Sequence, residues 1–233
     1  MDKVSGMIGG MTERTWWNRE NRPFDSAELM ADAIVHVIGL MIALALGSTL
    51  LFVAATRTAP GELPALALYV GSLVLVLAAS FAFNMWPICP LKRHLARLDQ
   101  AAIFVFLAGS YTPFLSLLDH APFARLMLAA IWGTAALGVI LKLFVPQRFG
   151  RIAIPLYLAI GWSGLLIFEP LAAAIPETTL WLLLAGGVTY SVGVMFHFWE
   201  RLRFQNAMWH IAVVAGASLH LGAILDCMVI SRL

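Results

Sequence analysis

Asn206 and His210 stand four residues apart in the stretch QNAMWH, residues 205–210. On a helix that spacing puts both side chains on one face. Two histidines so placed would clip a metal ion between them. Here one position is an amide, whose neutral oxygen suits hard, calcium-like cations better than zinc. The stretch SFAFN, residues 80–84, repeats the pattern with Ser80 and Asn84. Asp99 and His36 complete a small set of polar and titratable side chains in apolar surroundings. Ionisable groups in such surroundings are costly and are candidates for a functional site, while Ser and Asn there also tie helices together by hydrogen bonds.

Positioning these residues is the task of long apolar elements. The 233-residue chain is 61% hydrophobic and 12% charged, too apolar for a water-soluble globule of its size. A hydrocarbon core about 30 Å thick is crossed by about 20 helical residues. Seven such runs occur, at about 32–54, 63–86, 99–118, 123–145, 151–172, 178–198 and 205–229. Arg125 and Lys142 fall near the ends of the fourth run, where long basic side chains can snorkel to the interface. A β-barrel would need alternating segments of about ten residues, which continuous runs do not supply. The expected fold is all-α, an integral membrane bundle of seven transmembrane helices. Residues 1–28 are an N-terminal tail and 29–233 a single membrane domain.

Of the fifteen Lys and Arg residues, twelve fall in the tail or in the loops after spans two, four and six. Only Arg57, Arg125 and Arg232 lie on the other side. By the positive-inside rule the N-terminus is cytoplasmic and the C-terminus outside. The first 28 residues hold no apolar stretch of signal-peptide length, so span one itself directs insertion. Trp16 and Trp17 have the amphipathic character of headgroup-level anchors. Cys89 and Cys227 fall on opposite sides, which disfavours an intramolecular disulfide. The expected location is the cell's inner or plasma membrane, as a multi-pass protein.

Placed on this frame, the polar residues share one depth. Ser80 and Asn84 end span two at the cytoplasmic side, Asp99 opens span three, Asn206 and His210 open span seven, and His36 lies about one turn into span one. Ionisable groups at such positions are costly and mark sites. Each also has a plainer role: Ser80 and the amides as interhelical hydrogen-bonders, Asp99 as a boundary charge beside Arg97, and His36 and His220 as packing residues. His220 follows His210 by ten residues, about 15 Å along a helix, too far for both to bind one ion.

In its stretches ELMADAIVHVIG (28–39), SFAFN (80–84), RLDQAAIFVFLAGSYTPF (97–114), GGVTYSVGVMF (186–196) and NAMWHIAVVAGASLH (206–220), the chain resembles the hemolysin III proteins of the progestin and adiponectin receptor (PAQR) superfamily. The resemblance spans about residues 28–229. It implies a seven-span fold and a site built from a Ser and a His four residues later in span two, an Asp in span three, and a His-x-x-x-His pair in span seven. In that family the three histidines hold zinc and the Asp its water. Here Ser80, Asp99 and His210 match, while Asn84 and Asn206 occupy the other two ligand positions. Losing two of three imidazoles should weaken zinc binding by orders of magnitude, because even lost second-layer partners cost about 10 to 100-fold. His94 and Cys89, on the adjacent loop, are the available substitutes.

The resemblance therefore implies a family fold with a lost or altered metal site: no cofactor or a weakly bound metal, with zinc doubtful. Asn84, Asn206, His210, Asp99 and Ser80 would instead form a polar network. The leading function is membrane-lipid homeostasis or stress sensing with membrane lipid as partner. One alternative is a metal-dependent, ceramidase-like lipid-amide hydrolase using Asp99 and Ser80; another is a pore-forming, cytolytic protein or transporter, hinted at by His220 and the helix-weakening stretch GWSG at 161–164. Whether the chain is an enzyme, and its oligomeric state, stay open. No glycine-rich phosphate loop or basic patch points to nucleotide or nucleic acid.

Overall fold

The computed structural model describes residues 24–59, 61–118, 121–199 and 201–232, with side chains 147–151 left undescribed. Trp16 and Trp17 lie outside the described residues. Among the described residues eight α-helices follow in order: α1 Ser26–Arg57, α2 Glu62–Met85, α3 Pro90–Ser116, α4 Pro122–Phe144, α5 Pro146–Trp162, α6 Phe168–Ala174, α7 Glu177–Phe198 and α8 Gln205–Met228. A 3₁₀ turn, Ser163–Ile167, joins α5 to α6. Together these make the fifth of seven membrane-crossing spans found among the described residues. No strand occurs there.

The helix starts follow from local chemistry. Asp25 caps α1 in a reciprocal box: its carboxylate accepts from the Glu28 amide at 2.8 Å, and Glu28 accepts from the Asp25 amide at 3.0 Å. Proline stands in the first turn of α3, α4 and α5, where its missing N–H costs no helical bond. Two boundaries differ from hydropathy. Helix α1 begins at Ser26, six residues before the expected span, because capping extends it beyond the apolar run. Helix α3 begins at Pro90, so the basic segment before Asp99 is helical and stands above the span.

The bundle closes as a ring. α1 packs on α2 and α8, α2 on α3, α3 on α4, and α7 on α8. One apolar core lies among α1, α2, α3 and α8, around Tyr69, Leu73, Leu221 and Ile224. A second joins α3 to α4 and α5, around Phe104 and Ile131. Between α5 and α7 the ring is weak, and the two helices meet over a short stretch. Where α1 and α8 cross, Gly39 faces Val214, whose Cγ2 would stand 2.7 Å from a Cβ at that position. That close approach, one turn from His36, brings the polar faces of α1 and α8 together.

The break in the fifth span is held by the AGSYTPF segment of α3. The Tyr111 hydroxyl faces the carbonyls of Ile160 and Gly161, each at 2.8 Å, and accepts from the Gly164 amide at 2.8 Å. Backbone groups freed at a break in lipid must find such partners. The GWSG stretch is thus a real interruption, closed by a side chain from the neighbouring span.

Candidate functional site

Four helices bring their polar residues to one end of the bundle, the end shared by the start of α1 and the α2–α3, α4–α5 and α7–α8 connections. From α1 come Glu28, Asp32 and His36, one turn apart along a single stripe. Helix α2 supplies Ser80 and Asn84, α3 supplies Asp99, and α8 supplies Asn206 and His210. The expected convergence is present, and it has a centre that hydropathy did not reveal.

That centre is Asp32, 2% exposed. Its Oδ1 accepts from His210 Nδ1 at 2.5 Å and its Oδ2 from Asn206 Nδ2 at 3.0 Å. Its backbone carbonyl accepts from His36 Nδ1 at 2.8 Å. His36 is 1% exposed and His210 6%, with ring centroids 4.3 Å apart. A carbonyl and a carboxylate accept, so both imidazoles carry a proton on Nδ1 and turn Nε2 the other way. Both Nε2 atoms meet one oxygen: Ser80 Oγ lies 3.2 Å from His36 Nε2 and 3.3 Å from His210 Nε2. Asn84 Nδ2 donates to the Ser80 carbonyl at 2.9 Å and approaches Ser80 Oγ at 3.3 Å, while its Oδ1 accepts from Asn206 Nδ2 at 2.9 Å. The Asp99 carboxylate faces the same serine hydroxyl and lies within electrostatic range of His210, Lys142 and Asp32.

Several expectations change here. His36 is a core member of the cluster and not a packing residue. Asp32 stands at the edge of the apolar run of span one, where hydropathy does not mark it; its i, i+4 spacing to His36 and to Glu28 is the signal the sequence carries. Lys142 does not snorkel: it is 2% exposed and donates to Gln100 Oε1 at 2.7 Å, because a polar cluster across α3 offers it a partner inside the bundle. Asp99 turns inward and is more than a boundary charge. His94 is exposed and Cys89 half-buried at the cap of α3, and neither joins the cluster. His220 lies apart, with Nε2 3.3 Å from the Leu183 carbonyl and its ring against Tyr190. Both cysteines are free.

The zinc ion implied by the resemblance would need imidazoles at 84 and 206. The Asn84 amide nitrogen is spent on Ser80 and that of Asn206 on Asn84 and Asp32, and an amide oxygen is a poor zinc donor. Those two positions do not fit the ion. They do fit the expected polar network, which Asp32 and His36 extend to the first span.

Below the cluster opens a cavity of about 660 Å³, within the range of ligand-binding cavities. His36, Ser80, Asn84, Asp99, Asn206 and His210 line one end. Trp162, Leu165, Phe168, Leu171, Trp181 and Leu184 are among the residues that line it from the fifth and sixth spans, whose mutual contact is weak. Asp32 does not reach the cavity wall, whereas Asp99 does. The chamber is amphipathic, with a mostly apolar lining and the polar cluster in its wall.

The sequence profile of a family described as "Haemolysin-III related" matches residues 27–221, from the capped start of α1 to beyond His220. The chain belongs to this family. It is similar to Hemolysin-3 of Bacillus cereus, 32% identical over 192 residues, which covers 82% of this chain and 88% of that protein. A Hemolysin-3 homolog of Bacillus subtilis (strain 168) is 30% identical over 195 residues, 84% of this chain and 92% of the relative. The human Monocyte to macrophage differentiation factor is 32% identical over 127 residues, 54% of this chain and 52% of that protein. For a haemolysin-III-related protein, multi-pass and embedded in lipid, the match takes in every residue of the polar cluster.

Proposed function

We propose that this chain binds a membrane lipid inside its bundle and serves membrane-lipid homeostasis or stress sensing from the cell's inner or plasma membrane, with the polar cluster toward the cytoplasm. The amphipathic chamber carries this reading. Apolar burial does not favour the chamber by itself, because an acyl chain leaving the bilayer exchanges one hydrocarbon surrounding for another. Selectivity must come from the polar end, where Ser80, Asp99, Asn206 and His210 present donors and acceptors to a head group. The seam between the fifth and sixth spans offers a sideways route that avoids water.

The test is lipid extraction from the purified protein with mass-spectrometric identification. One lipid class enriched over the host membrane, at about one molecule per chain, supports the reading. Lipid at bulk composition, together with an unchanged chamber-blocking variant Leu184→Trp, overturns it.

A second reading, hydrolysis of a lipid amide, is favoured by one observation: Asp99 is the carboxylate of the cluster that lines the chamber, beside the Ser80 hydroxyl. A carboxylate so placed can take a proton from an attacking hydroxyl group. Turnover of a short-chain ceramide in detergent, abolished by Asp99→Ala, would move the protein from lipid binding to lipid cleavage.

A further inference from the structure

His220 stands in the chamber wall, ten residues beyond His210 and eight before the end of α8, about 15 Å and about 12 Å along the axis. It therefore lies inside the hydrocarbon layer, where an ionisable side chain is costly and marks a site. Two glycines make room for it and for its neighbour Tyr190. A Cβ at Gly186 of α7 would stand 2.6 Å from His220 Nε2, and one at Gly216 of α8 would stand 3.0 Å from the Tyr190 ring. Each helix thus lays a polar ring over the other's glycine, and the two ring centroids are 5.4 Å apart. Packing does not require this pair, because phenylalanine would fill such space without polar atoms to satisfy. Those atoms are only partly satisfied. His220 Nε2 donates to the Leu183 carbonyl at 3.3 Å, while its Nδ1 has no partner among the described residues. The hydroxyls of Tyr69 and Tyr190, within electrostatic range of each other, are buried without a hydrogen-bond partner there as well. In hydrocarbon such unmet groups cost free energy.

We propose that His220 is a second polar station of the chamber, and that it binds a hydroxyl group carried partway along the acyl chain of the bound lipid. Of the polar atoms in this layer, Nδ1 of His220 is the one that is both unpartnered and on a side chain bordering the chamber without being closed off. A hydroxyl suits it in either protonation state: it donates to a neutral ring's lone pair and accepts from a charged ring's N–H. An unsubstituted chain can do neither and leaves the nitrogen unmet. The ligand class is therefore a hydroxyacyl lipid, with its head group among Ser80, Asn206 and His210 and its chain oxygen about 15 Å away at His220. A site built to hydrogen-bond a ligand hydroxyl discriminates against the analogue that lacks it, because the site's own polar group is then left unpaired.

This inference rests on the lipid-binding reading, and the two fail separately. The delipidated full chain, in one detergent, is titrated by calorimetry with monoolein and with monoricinolein, which share a neutral glycerol head and a chain length and differ by one mid-chain hydroxyl. The parent should bind monoricinolein about three- to tenfold tighter than monoolein, the range expected for one added hydrogen bond. It should also bind monoricinolein tighter than the isomer hydroxylated beside the ester, a control of equal composition for partitioning into the micelle. The preference should vanish in His220→Phe, accepted only if its elution and thermal midpoint match the parent, with His220→Leu as the second variant. The comparison of isomers needs no variant and decides the matter if neither substitution folds. Monoolein bound, with the two hydroxylated isomers equal, overturns the station and leaves lipid binding in place, with an enclosed water to meet Nδ1. A preference that survives in His220→Phe overturns it as well and puts the chain oxygen elsewhere. Failure of every probe to bind removes the lipid-binding reading itself, and the station with it.

Discussion

Removing the Asp32 carboxylate should be the most damaging single change at the polar end. In Asp32→Ala, His210 Nδ1–H and Asn206 Nδ2–H lose their acceptors in a site where the three residues are mostly closed to water. A buried donor left unsatisfied costs about 1–3 kcal/mol, so two cost about 2–6 kcal/mol, and water entering from the chamber should pull the total toward about 3 kcal/mol. For a chain of this size each kcal/mol shifts the midpoint by about 2–4 °C, which gives a fall of about 6–12 °C. Asp32→Asn keeps an acceptor for His210 but sets its own Nδ2 against the Asn206 amide, so it should lose about one bond, about 1 kcal/mol and about 2–4 °C. The assay is thermal unfolding in one detergent, followed by tryptophan fluorescence, with chelator in every sample so that metal binding contributes nothing. An alanine variant within about 1 °C of the parent would refute the role of Asp32 as the acceptor that organises the cluster. An asparagine variant as damaging as alanine would show that charge matters there and acceptor geometry does not.

Tyr111→Phe should free the Gly164 amide and leave the Ile160 and Gly161 carbonyls without their hydroxyl, lowering stability by about 1–3 kcal/mol and speeding proteolysis near residue 163; an unchanged midpoint and cleavage rate would refute the pin. Gly138→Ala should push a methyl to 2.5 Å from the fully buried Phe104 ring and cost about 1–3 kcal/mol by overpacking, read as a lower midpoint, whereas Gly133→Ala, with open space around it, should be nearly neutral. Lys142→Met should keep the volume but leave Gln100 Oε1 without its donor and Asp99 without a nearby cation, lowering the midpoint; no change would mean that water replaces the ammonium group.

The seven spans were legible because hydrocarbon sets a length and a composition that few other environments require. Their ends were less so: a capping box carried α1 outward to Ser26, and hydropathy is blind to a cap. The depth of Ser80, Asn84, Asp99, Asn206 and His210 was legible for the same reason as the spans. What hydropathy could not supply was rotation. Whether His36 faced lipid or its neighbours depended on the azimuth of α1, and whether Lys142 reached the interface or Gln100 depended on that of α4. Asp32 combined both difficulties, lying at an estimated boundary and on a face fixed only by packing.

The stripe formed by Glu28, Asp32 and His36 acquires a further meaning from the contact at its top. Glu28 Oε1 accepts from the backbone amide of Phe204, the one described non-glycine residue with positive φ, at 59°, in the turn just before α8. Glu28 therefore acts as an index mark: it fixes the angular setting of α1 against the turn that launches His210. Each residue along a helix advances the azimuth by about 100°. A single residue inserted between Glu28 and Asp32 would leave the mark in place and swing both lower side chains a quarter of the way round, toward the lipid. The same two helices would cross the same membrane with almost the same hydropathy, and the cluster would no longer exist. In this bundle, chemistry is a matter of phase, and chain length between two contacts is what sets it.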